Sequence, residues 1–261
     1  MIALITDFGE KDHYTSVMKG VIKKESPQTD IVDLTHSIDP QDIRQAAFSL
    51  QYAYPYFPDK TIFTVVVDPG VGSERKVIAV ETENYFFIAP DNGVLSQIYK
   101  KERIKNIYNI TNRDLFLNEV SSTFHGRDIF APVSAHLNKT GDITELGDKI
   151  SLSEIKMLNF DPEFLSPFEL KARVIDIDRF GNIISNLNID EVRNHSISSV
   201  SLKGHLFNEL SKTFSDVGAN EPLAYKGSSG MLEIALRNGN FADKFDIKKN
   251  DEIIIKLKGK S

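Results

Sequence analysis

Hydrophobic residues in the first 160 positions follow two different spacings. A continuous apolar run of strand length, typical of parallel strands buried on both faces, occupies residues 2–6. Residues 31–34 and the strongly β-branched residues 61–67 are the next strand candidates. Between them, residues 14–22 and 42–54 repeat apolar side chains every three or four positions, as amphipathic helices do. Two further strands and a helix are expected at residues 76–82, 85–88 and 129–137. This alternation predicts a layered α/β domain with a mostly parallel sheet over residues 1–160.

The pattern changes after residue 160. Residues 161–168 contain two prolines and no regular period, and we interpret them as a linker. Helical periodicity is scarce beyond them, and short strand candidates cover residues 170–177, 183–187, 197–202, 206–207, 232–236 and 252–257. Many short strands with few helices are typical of a small barrel or sandwich. The sequence therefore predicts a smaller all-β domain over residues 169–261.

Composition excludes several classes of site. The 37 acidic and 31 basic residues give a net charge of −6, which disfavours nucleic-acid binding. We interpret the lysines near the C-terminus as a solvated strand edge and tail; they are Lys248, Lys249, Lys256, Lys258 and Lys260. The absence of cysteine excludes disulfides, thiolate metal ligands and cysteine nucleophiles. The apolar N-terminal run is too short for a signal peptide or membrane span, so we expect a cytoplasmic protein without membrane contact.

Polar residues and glycines gather where predicted strands end, and ligands bind at such ends in open α/β sheets. The segments are Thr6-Asp7-Phe8-Gly9, Asp68-Pro69-Gly70-Val71-Gly72, Ala89-Pro90-Asp91-Asn92-Gly93, Thr123-Phe124-His125-Gly126-Arg127-Asp128, Asp178-Arg179-Phe180-Gly181-Asn182 and Gly227-Ser228-Ser229-Gly230. Each alone is also a common turn, because Gly accepts positive φ and Asp or Asn caps its own backbone. His125 and Asp128 lack a further nearby ligand at suitable spacing, so no metal site is expected.

Taken in order, the first five of these motifs resemble the S-adenosylmethionine hydrolase family, also called the S-adenosylmethionine hydroxide adenosyltransferases. The resemblance includes Arg75 after the second motif and extends the fourth motif from Ser122 to Pro132. It runs nearly from end to end of the chain, and fluorinases and chlorinases are relatives of the family. It implies hydrolysis of S-adenosyl-L-methionine to adenosine and L-methionine by one-step displacement at C5′, without metal or cofactor.

By this resemblance, Asp68, Arg75 and His125 surround the attacking water. Water is a poor nucleophile, and a base or a cationic environment helps it to react as hydroxide. A guanidinium stays charged at any working pH, while a carboxylate and an imidazole can orient the water and accept its proton. Which of Asp68 and His125 takes the proton stays open. From the residues alone, the alternatives are a turn-capping Asp68, a surface Arg75 and a hydrogen-bonded core His125.

The resemblance also assigns residues to the substrate and implies an assembly. The implied positions are Asp7 for the ribose hydroxyls, Asp178 for the methionine ammonium, Asn182 for the adenine edge, Ser228 and Ser229 for the methionine carboxylate, and the backbone at Arg237 and Asn238 for adenine. Members of the family form trimers with each site between two subunits. A homotrimer with sites at subunit interfaces is therefore implied here.

Three departures from the halogenase relatives favour water over halide as the nucleophile. Only two residues separate Gly72 from Arg75, where a fluorinase carries an inserted loop. Gly126 stands where a fluorinase has serine, and His125 replaces an aromatic residue. Two other functions stay open: a halide-dependent, chlorinase-like adenosyltransferase, and a non-catalytic module that binds S-adenosylmethionine or adenosine.

Overall fold

The structure, a computed structural model, describes residues 1–259. The chain divides into two compact units, Met1–Asn159 and a second unit that begins at Phe160. Each unit contains a hydrophobic cluster of its own. Lys260 and Ser261, which end the predicted second domain and the lysine-rich stretch, lie outside the described residues. No helix of the described part is long and apolar enough to cross a membrane.

The first unit combines a seven-stranded sheet with helices. In chain order its elements are β1 (Ile2–Thr6), α1 (Tyr14–Glu25), β2 (Ile31–Thr35), α2 (Ile43–Ala53), β3 (Ile62–Val66), β4 (Val77–Thr82), β5 (Phe86–Pro90), α3 (Ser96–Lys101), β6 (Ile104–Ile110), α4 (Ala131–Thr140) and β7 (Gly147–Lys149). The strands lie in the order β2-β1-β3-β5-β4-β6-β7. The α/β interpretation therefore describes this unit, with one correction to the strand directions.

The sheet is mixed, and the prediction of a mostly parallel sheet was wrong. β2, β1, β3 and β5 run parallel to one another, whereas β4 and β6 pair antiparallel with their neighbours and β7 pairs antiparallel with β6. The short turn at Glu83-Asn84 joins β4 to β5, and a connection of that length allows only antiparallel pairing. Apolar runs identify strands, but they do not determine strand direction.

Two adjacent parallel strands position the first set of polar loops. All residues of β1 and β3 are buried, and the register places Thr6 opposite Val66. α1 packs on α4, which in turn contacts β1 and β3. Because β1 and β3 are neighbours and run in the same direction, the loops that carry Asp7 and Asp68 leave the sheet at the same edge.

The second unit is an antiparallel sheet. In chain order its elements are β8 (Glu163–Ser166), β9 (Glu169–Ile177), β10 (Ile183–Asn188), β11 (His195–Leu202), β12 (His205–Phe207), β13 (Pro222–Lys226), β14 (Met231–Leu236), α5 (Phe241–Phe245) and β15 (Glu252–Gly259). The strands lie in the order β12-β11-β15-β9-β10-β14-β13, with β8 added on β9. Ser211, which follows β12, forms an isolated β-bridge with Tyr225 of β13. The two edges of the sheet therefore come close to each other, as in a nearly closed barrel.

Two expectations for this unit need correction. The predicted linker, residues 161–168, contains the strand β8. All four residues of β8 are exposed, so its sequence does not alternate between apolar and polar positions as a half-buried strand does. Pairing with β9 makes it a strand, and Glu163 forms an ion pair with Lys171 at 2.7 Å. No strand was predicted at 222–226, yet β13 forms there because it pairs along its whole length with β14. Pairing with a neighbour overrides a weak local pattern.

Candidate active site

The loop after β1 holds Asp7 in a half-buried position. Its Oδ2 accepts a hydrogen bond of 2.8 Å from the backbone N–H of Gln41. Burial raises the pKa of Asp7 and the nearby Asp68 carboxylate adds to the rise, whereas the Gln41 hydrogen bond acts in the opposite direction. The hydroxyl of the preceding Thr6 lies 2.9 Å from Nδ1 of the buried His36, which anchors this end of the strand.

The loop after β3 packs tightly against the loop that carries His125. Gly72 has a φ of +77°, and a β-carbon built there would lie 2.5 Å from the carbonyl oxygen of Ser122. Glycine is therefore required by both the backbone angle and the close approach. The Asp91-Asn92-Gly93 turn supports the same strand end, because the Asn92 side-chain amide donates to the carbonyl of Val67 at 2.8 Å.

Arg75 joins Asp68 to His125. Its Nε lies 2.9 and 2.8 Å from the two carboxylate oxygens of Asp68, and its Nη2 also donates to Asp68 Oδ2. The same Nη2 lies 2.9 Å from Nδ1 of His125. The Asp68 and Arg75 side chains are 5% and 11% exposed, so solvent screens this ion pair poorly. The three side chains form a fixed cluster with the guanidinium at its centre.

The imidazole of His125 is neutral in this cluster. A guanidinium can only donate hydrogen bonds, so Nδ1 must accept, and the ring proton is assigned to Nε2. Burial and the positive charge of Arg75 lower the pKa of His125, while Asp68, Asp128 and the Ser121 backbone act in the opposite direction. The balance favours the uncharged ring near neutral pH.

Asp128 holds the loop that carries His125. Its fully buried carboxylate accepts two hydrogen bonds of 2.8 Å, from the backbone N–H and the hydroxyl of Ser121, and one of 2.5 Å from Nε of Arg127. Although burial opposes it, hydrogen bonding from Arg127 and Ser121 holds the pKa of Asp128 below its usual value. Within residues 1–259, no group of three or more His, Asp or Glu side chains is placed to bind a metal ion.

A cleft of about 370 Å³, here called the first cleft, opens beside the cluster. Asp7, Asp68 and His125 are among its polar lining residues, and its aromatic lining residues are Phe8, Tyr14 and Phe124. The three rings contact one another at centroid distances of 5.1 to 5.8 Å. The cleft therefore combines an ionic wall with an aromatic wall.

A cleft of about 670 Å³ on the second unit is here called the second cleft. Its lining residues are Asp178, Phe180, Asn182, Phe214, Tyr225, Glu233, Leu236, Asn238 and Gly239. Oδ1 of Asp178 accepts from the backbone N–H groups of Phe180 and Asn182 at 2.8 and 2.9 Å, and Oδ2 accepts from Nδ2 of Asn182 at 2.8 Å. Asp178 and Asn182 are therefore bonded to each other within one loop.

The two predicted serines lie elsewhere. Ser228 and Ser229 occupy the turn between β13 and β14, which is closed by a 2.9 Å hydrogen bond from the N–H of Gly230 to the carbonyl of Gly227. Ser228 is exposed, Ser229 is half-buried, and neither lines the second cleft. The structure thus brings Asp178, Asn182 and Asn238 together but leaves the serines on an adjacent turn.

Comparison with protein families shows the family to which this chain belongs. The family profile described as the SAM hydroxide adenosyltransferase N-terminal domain matches residues 2–147, and the C-terminal domain profile of the same family matches residues 172–254. The chain belongs to the SAM hydroxide adenosyltransferase family. SAM denotes S-adenosylmethionine, so the resemblance drawn from the motifs is confirmed.

Individual relatives agree over nearly the whole chain. The (R)-S-adenosyl-L-methionine hydrolase of Methanocaldococcus jannaschii is 35% identical, covering 98% of this chain and 95% of the relative. A solved structure of an uncharacterized conserved protein from Thermotoga maritima matches with a TM-score of 0.88 and 38% identity, covering 98% and 99% of the two chains. A fluorinase of Nocardia brasiliensis is 25% identical, covering 98% of this chain and 97% of the relative.

This SAM hydroxide adenosyltransferase has little space at the position where a fluorinase is expected to carry serine. A β-carbon on Gly126 would lie 3.1 Å from Sδ of Met18 and 3.3 Å from the rings of Phe8 and Phe124. A serine there would require these neighbours to move, because the packing around the glycine is already close.

The clefts also include residues that the sequence pattern did not single out. Gln41 has a φ of +67°, and its N–H reaches Asp7 across 34 positions, which no local pattern signals. Tyr14 lies on the apolar stripe expected for a helix, so its place in the first cleft was not expected. Glu233 is a charged residue inside the otherwise apolar strand β14, and this interruption of the apolar run could have indicated a functional residue.

Proposed function

We propose that this protein hydrolyses S-adenosyl-L-methionine to adenosine and L-methionine. The observation that carries the proposal is a cleft lined by Asp7, Asp68 and His125, in which the latter two are both hydrogen-bonded to Arg75. The oxygen of one water attacks C5′, the C5′–sulfur bond breaks, and methionine leaves as a neutral thioether. The leaving group needs no general acid, and the reaction consumes only substrate and water.

Arg75 supplies the positive charge that stabilises hydroxide character on the attacking oxygen. Its three hydrogen bonds to Asp68 use about three of the four acceptor positions of that carboxylate, so one stays available for the water proton. Nδ1 of His125 is occupied by Arg75, and its assigned Nε2–H can only donate. We therefore place the proton on Asp68 and give His125 the role of orienting the water.

The first cleft suits the electrophile as well as the nucleophile. An aromatic wall can face the sulfonium or the purine, since π faces attract cations and stack on bases. Alignment of water, C5′ and sulfur supplies about 7–11 kcal/mol in well-oriented systems. We propose that Asp7 binds the ribose hydroxyls, because one carboxylate can accept from two adjacent donors.

The second cleft and the adjacent Gly227–Gly230 turn are proposed to bind the remaining parts of the substrate. The roles are Asp178 for the methionine ammonium, Asn182 and the backbone at Asn238 for adenine, and Ser228 and Ser229 for the methionine carboxylate. Asn182 uses its amide nitrogen on Asp178, so its carbonyl oxygen is the group available to an adenine amine.

We also propose a homotrimer in which the first cleft of one subunit and the second cleft of its neighbour form one site. Phe180 and Phe214 support this assembly, because both line the second cleft and are 74% and 41% exposed. Mixing Asp68→Ala subunits with Asp178→Ala subunits tests it. Shared sites regain activity in the mixed oligomer, whereas sites built from a single chain stay inactive.

Product analysis tests the proposed reaction. Purified protein is incubated with S-adenosylmethionine, with and without chloride, and the products are separated by mass spectrometry. We expect adenosine and methionine at equal rates in both buffers. A 5′-halo-adenosine product would identify a halide-dependent adenosyltransferase, and tight binding without turnover would identify a binding module.

A further inference from the structure

We propose that Glu233 is a specificity-determining residue that binds the α-ammonium group of the substrate's amino-acid portion. The inference rests on the proposed function, in which S-adenosylmethionine is the substrate. It deepens that proposal by adding to the second cleft a carboxylate that neither the motifs nor the family resemblance assigned.

The position of Glu233 is unusual for a charged residue. It lies in β14, between Leu232 and Ile234, which are both fully buried, and it lines the second cleft. Among the residues that the structure describes, its hydrogen-bond partner is the hydroxyl of Tyr225, 2.6 Å from Oε2. A half-buried carboxylate with a neutral partner and no ion pair is costly, unless a cation from outside the chain completes the site.

Glu233 and Asp178 differ in how many further hydrogen bonds their carboxylates can accept. Asp178 already accepts three hydrogen bonds from its own loop, which leaves about one acceptor position. An ammonium group has three N–H donors, so Asp178 alone cannot satisfy it. Glu233 accepts one hydrogen bond and retains the capacity that Asp178 lacks.

Glu233 also adjoins the turn that is proposed to bind the substrate carboxylate. A β-carbon built on Gly227 would lie 1.8 Å from Oε1 of Glu233, so the carboxylate packs directly against the start of the Gly227–Gly230 turn. Ser228 and Ser229 are the next two residues. Because the ammonium and carboxylate of an α-amino acid are attached to the same carbon, the protein groups that bind them must also lie close together.

The electrostatics agree with this geometry. Burial raises the pKa of Glu233 and the negative charge of Asp178 raises it further, while the Tyr225 hydroxyl acts in the opposite direction. Two neighbouring carboxylates repel each other, and an ammonium bound between them would remove that repulsion.

Paired ligands and matched variants test the inference. Calorimetry compares S-adenosylmethionine with 5′-methylthioadenosine, which keeps the sulfur-bearing nucleoside but lacks the amino acid, in an Asp68→Asn background that suppresses turnover. Glu233→Gln keeps the shape and still accepts from Tyr225. We expect it to weaken S-adenosylmethionine binding at least about 10-fold and to leave 5′-methylthioadenosine binding unchanged. Glu252→Gln, on an exposed part of the same sheet, should affect neither ligand.

The outcomes separate the inference from the proposed function. Equal loss of affinity for both ligands, or no loss for S-adenosylmethionine, overturns the role of Glu233. If the Gln variant does not fold, Glu233→Asp keeps the charge but shortens the side chain, and it must weaken only S-adenosylmethionine binding. A wild-type protein that binds S-adenosylmethionine without releasing adenosine contradicts the proposed reaction, yet the binding comparison at Glu233 still decides the inference.

Discussion

The hydrogen-bonded side chains of the two clefts are separated by very different numbers of residues along the chain. In the first cleft, Arg75 bonds His125 across 50 positions, and Gln41 bonds Asp7 across 34. In the second cleft, Asp178 bonds Asn182 across four positions within one loop. The Arg75–His125 and Gln41–Asp7 contacts exist only when several loops of the sheet are in place, whereas the Asp178–Asn182 contact is a property of a single short segment.

This difference matches the chemistry proposed for each cleft. Activating water requires charges held in one geometry before the reaction, and such preorganisation is supplied by buried groups fixed from several sides. Binding an amino acid or a base edge tolerates groups on a local loop, because each contact contributes separately. Substitutions in the Asp68–Arg75–His125 cluster should therefore affect turnover, whereas substitutions at Asp7 and in the second cleft should affect affinity.

The largest expected effect is at Asp68. Asp68→Ala removes the proton acceptor and leaves Arg75 without its main partner, so kcat should fall about 10²- to 10⁴-fold, with a much smaller change in Kd. Steady-state kinetics and calorimetry measure the two quantities. Glu74→Ala, an exposed change in the same loop, is the control and should behave as wild type. A loss confined to Kd would contradict the catalytic role proposed for Asp68.

Asp7→Ala should have the next largest effect, and mainly on affinity. Removing the carboxylate eliminates hydrogen bonds from the ribose hydroxyls to a charged acceptor, which corresponds to about a 10-fold or greater rise in Kd. The same calorimetric measurement on adenosine checks that the ribose is the affected part. If kcat fell strongly while Kd stayed constant, the roles of Asp7 and Asp68 would have to be exchanged.

The pH dependence of the first cleft follows from His125. Burial and Arg75 lower the pKa of His125, so in the folded protein the neutral ring is the major form at pH 6.5, the ordinary midpoint of histidine, and the charged ring becomes the major form only at lower pH. Protonation breaks the bond from Arg75 to Nδ1, so activity should fall on the acidic side of that value.

Proton NMR titration of His125 measures this directly. We expect a midpoint below 6.5 in the wild-type protein and an upward shift in Arg75→Gln, because the positive neighbour is lost while Asp68 and Asp128 stay. An unchanged midpoint in the variant would mean that Arg75 does not control the ring.

The smallest effect should be at Ser228. Its side chain is exposed on a turn, and a neutral hydroxyl contributes about 0.5–1.5 kcal/mol, so Ser228→Ala should raise Kd by about 10-fold at most without changing kcat. A larger effect on kcat than on Kd would show that this turn takes part in the chemistry.

Several features of the fold could be predicted from local pattern. The runs at β1 and β3 are apolar except for one threonine in each, and both strands are fully buried, so their positions could be predicted from the local sequence. β8 and β13 could not be found in this way, because β8 is exposed and β13 has only two buried residues, and each depends on its partner strand. The directions of β4, β6 and β7 likewise depend on pairing and not on side-chain period.

The sequence by itself determined which side chains are available: a carboxylate after each of two predicted strands, a guanidinium shortly after the second carboxylate, a loop that carries an imidazole, and no cysteine. Only the tertiary structure decided that Arg75 stands between Asp68 and His125, that Gln41 reaches Asp7, and that Glu233 shares a cleft with Asp178. The physical reason is that hydrogen bonding acts over about 3 Å in space. Strand order, which local residue patterns do not encode, brings distant residues within that range.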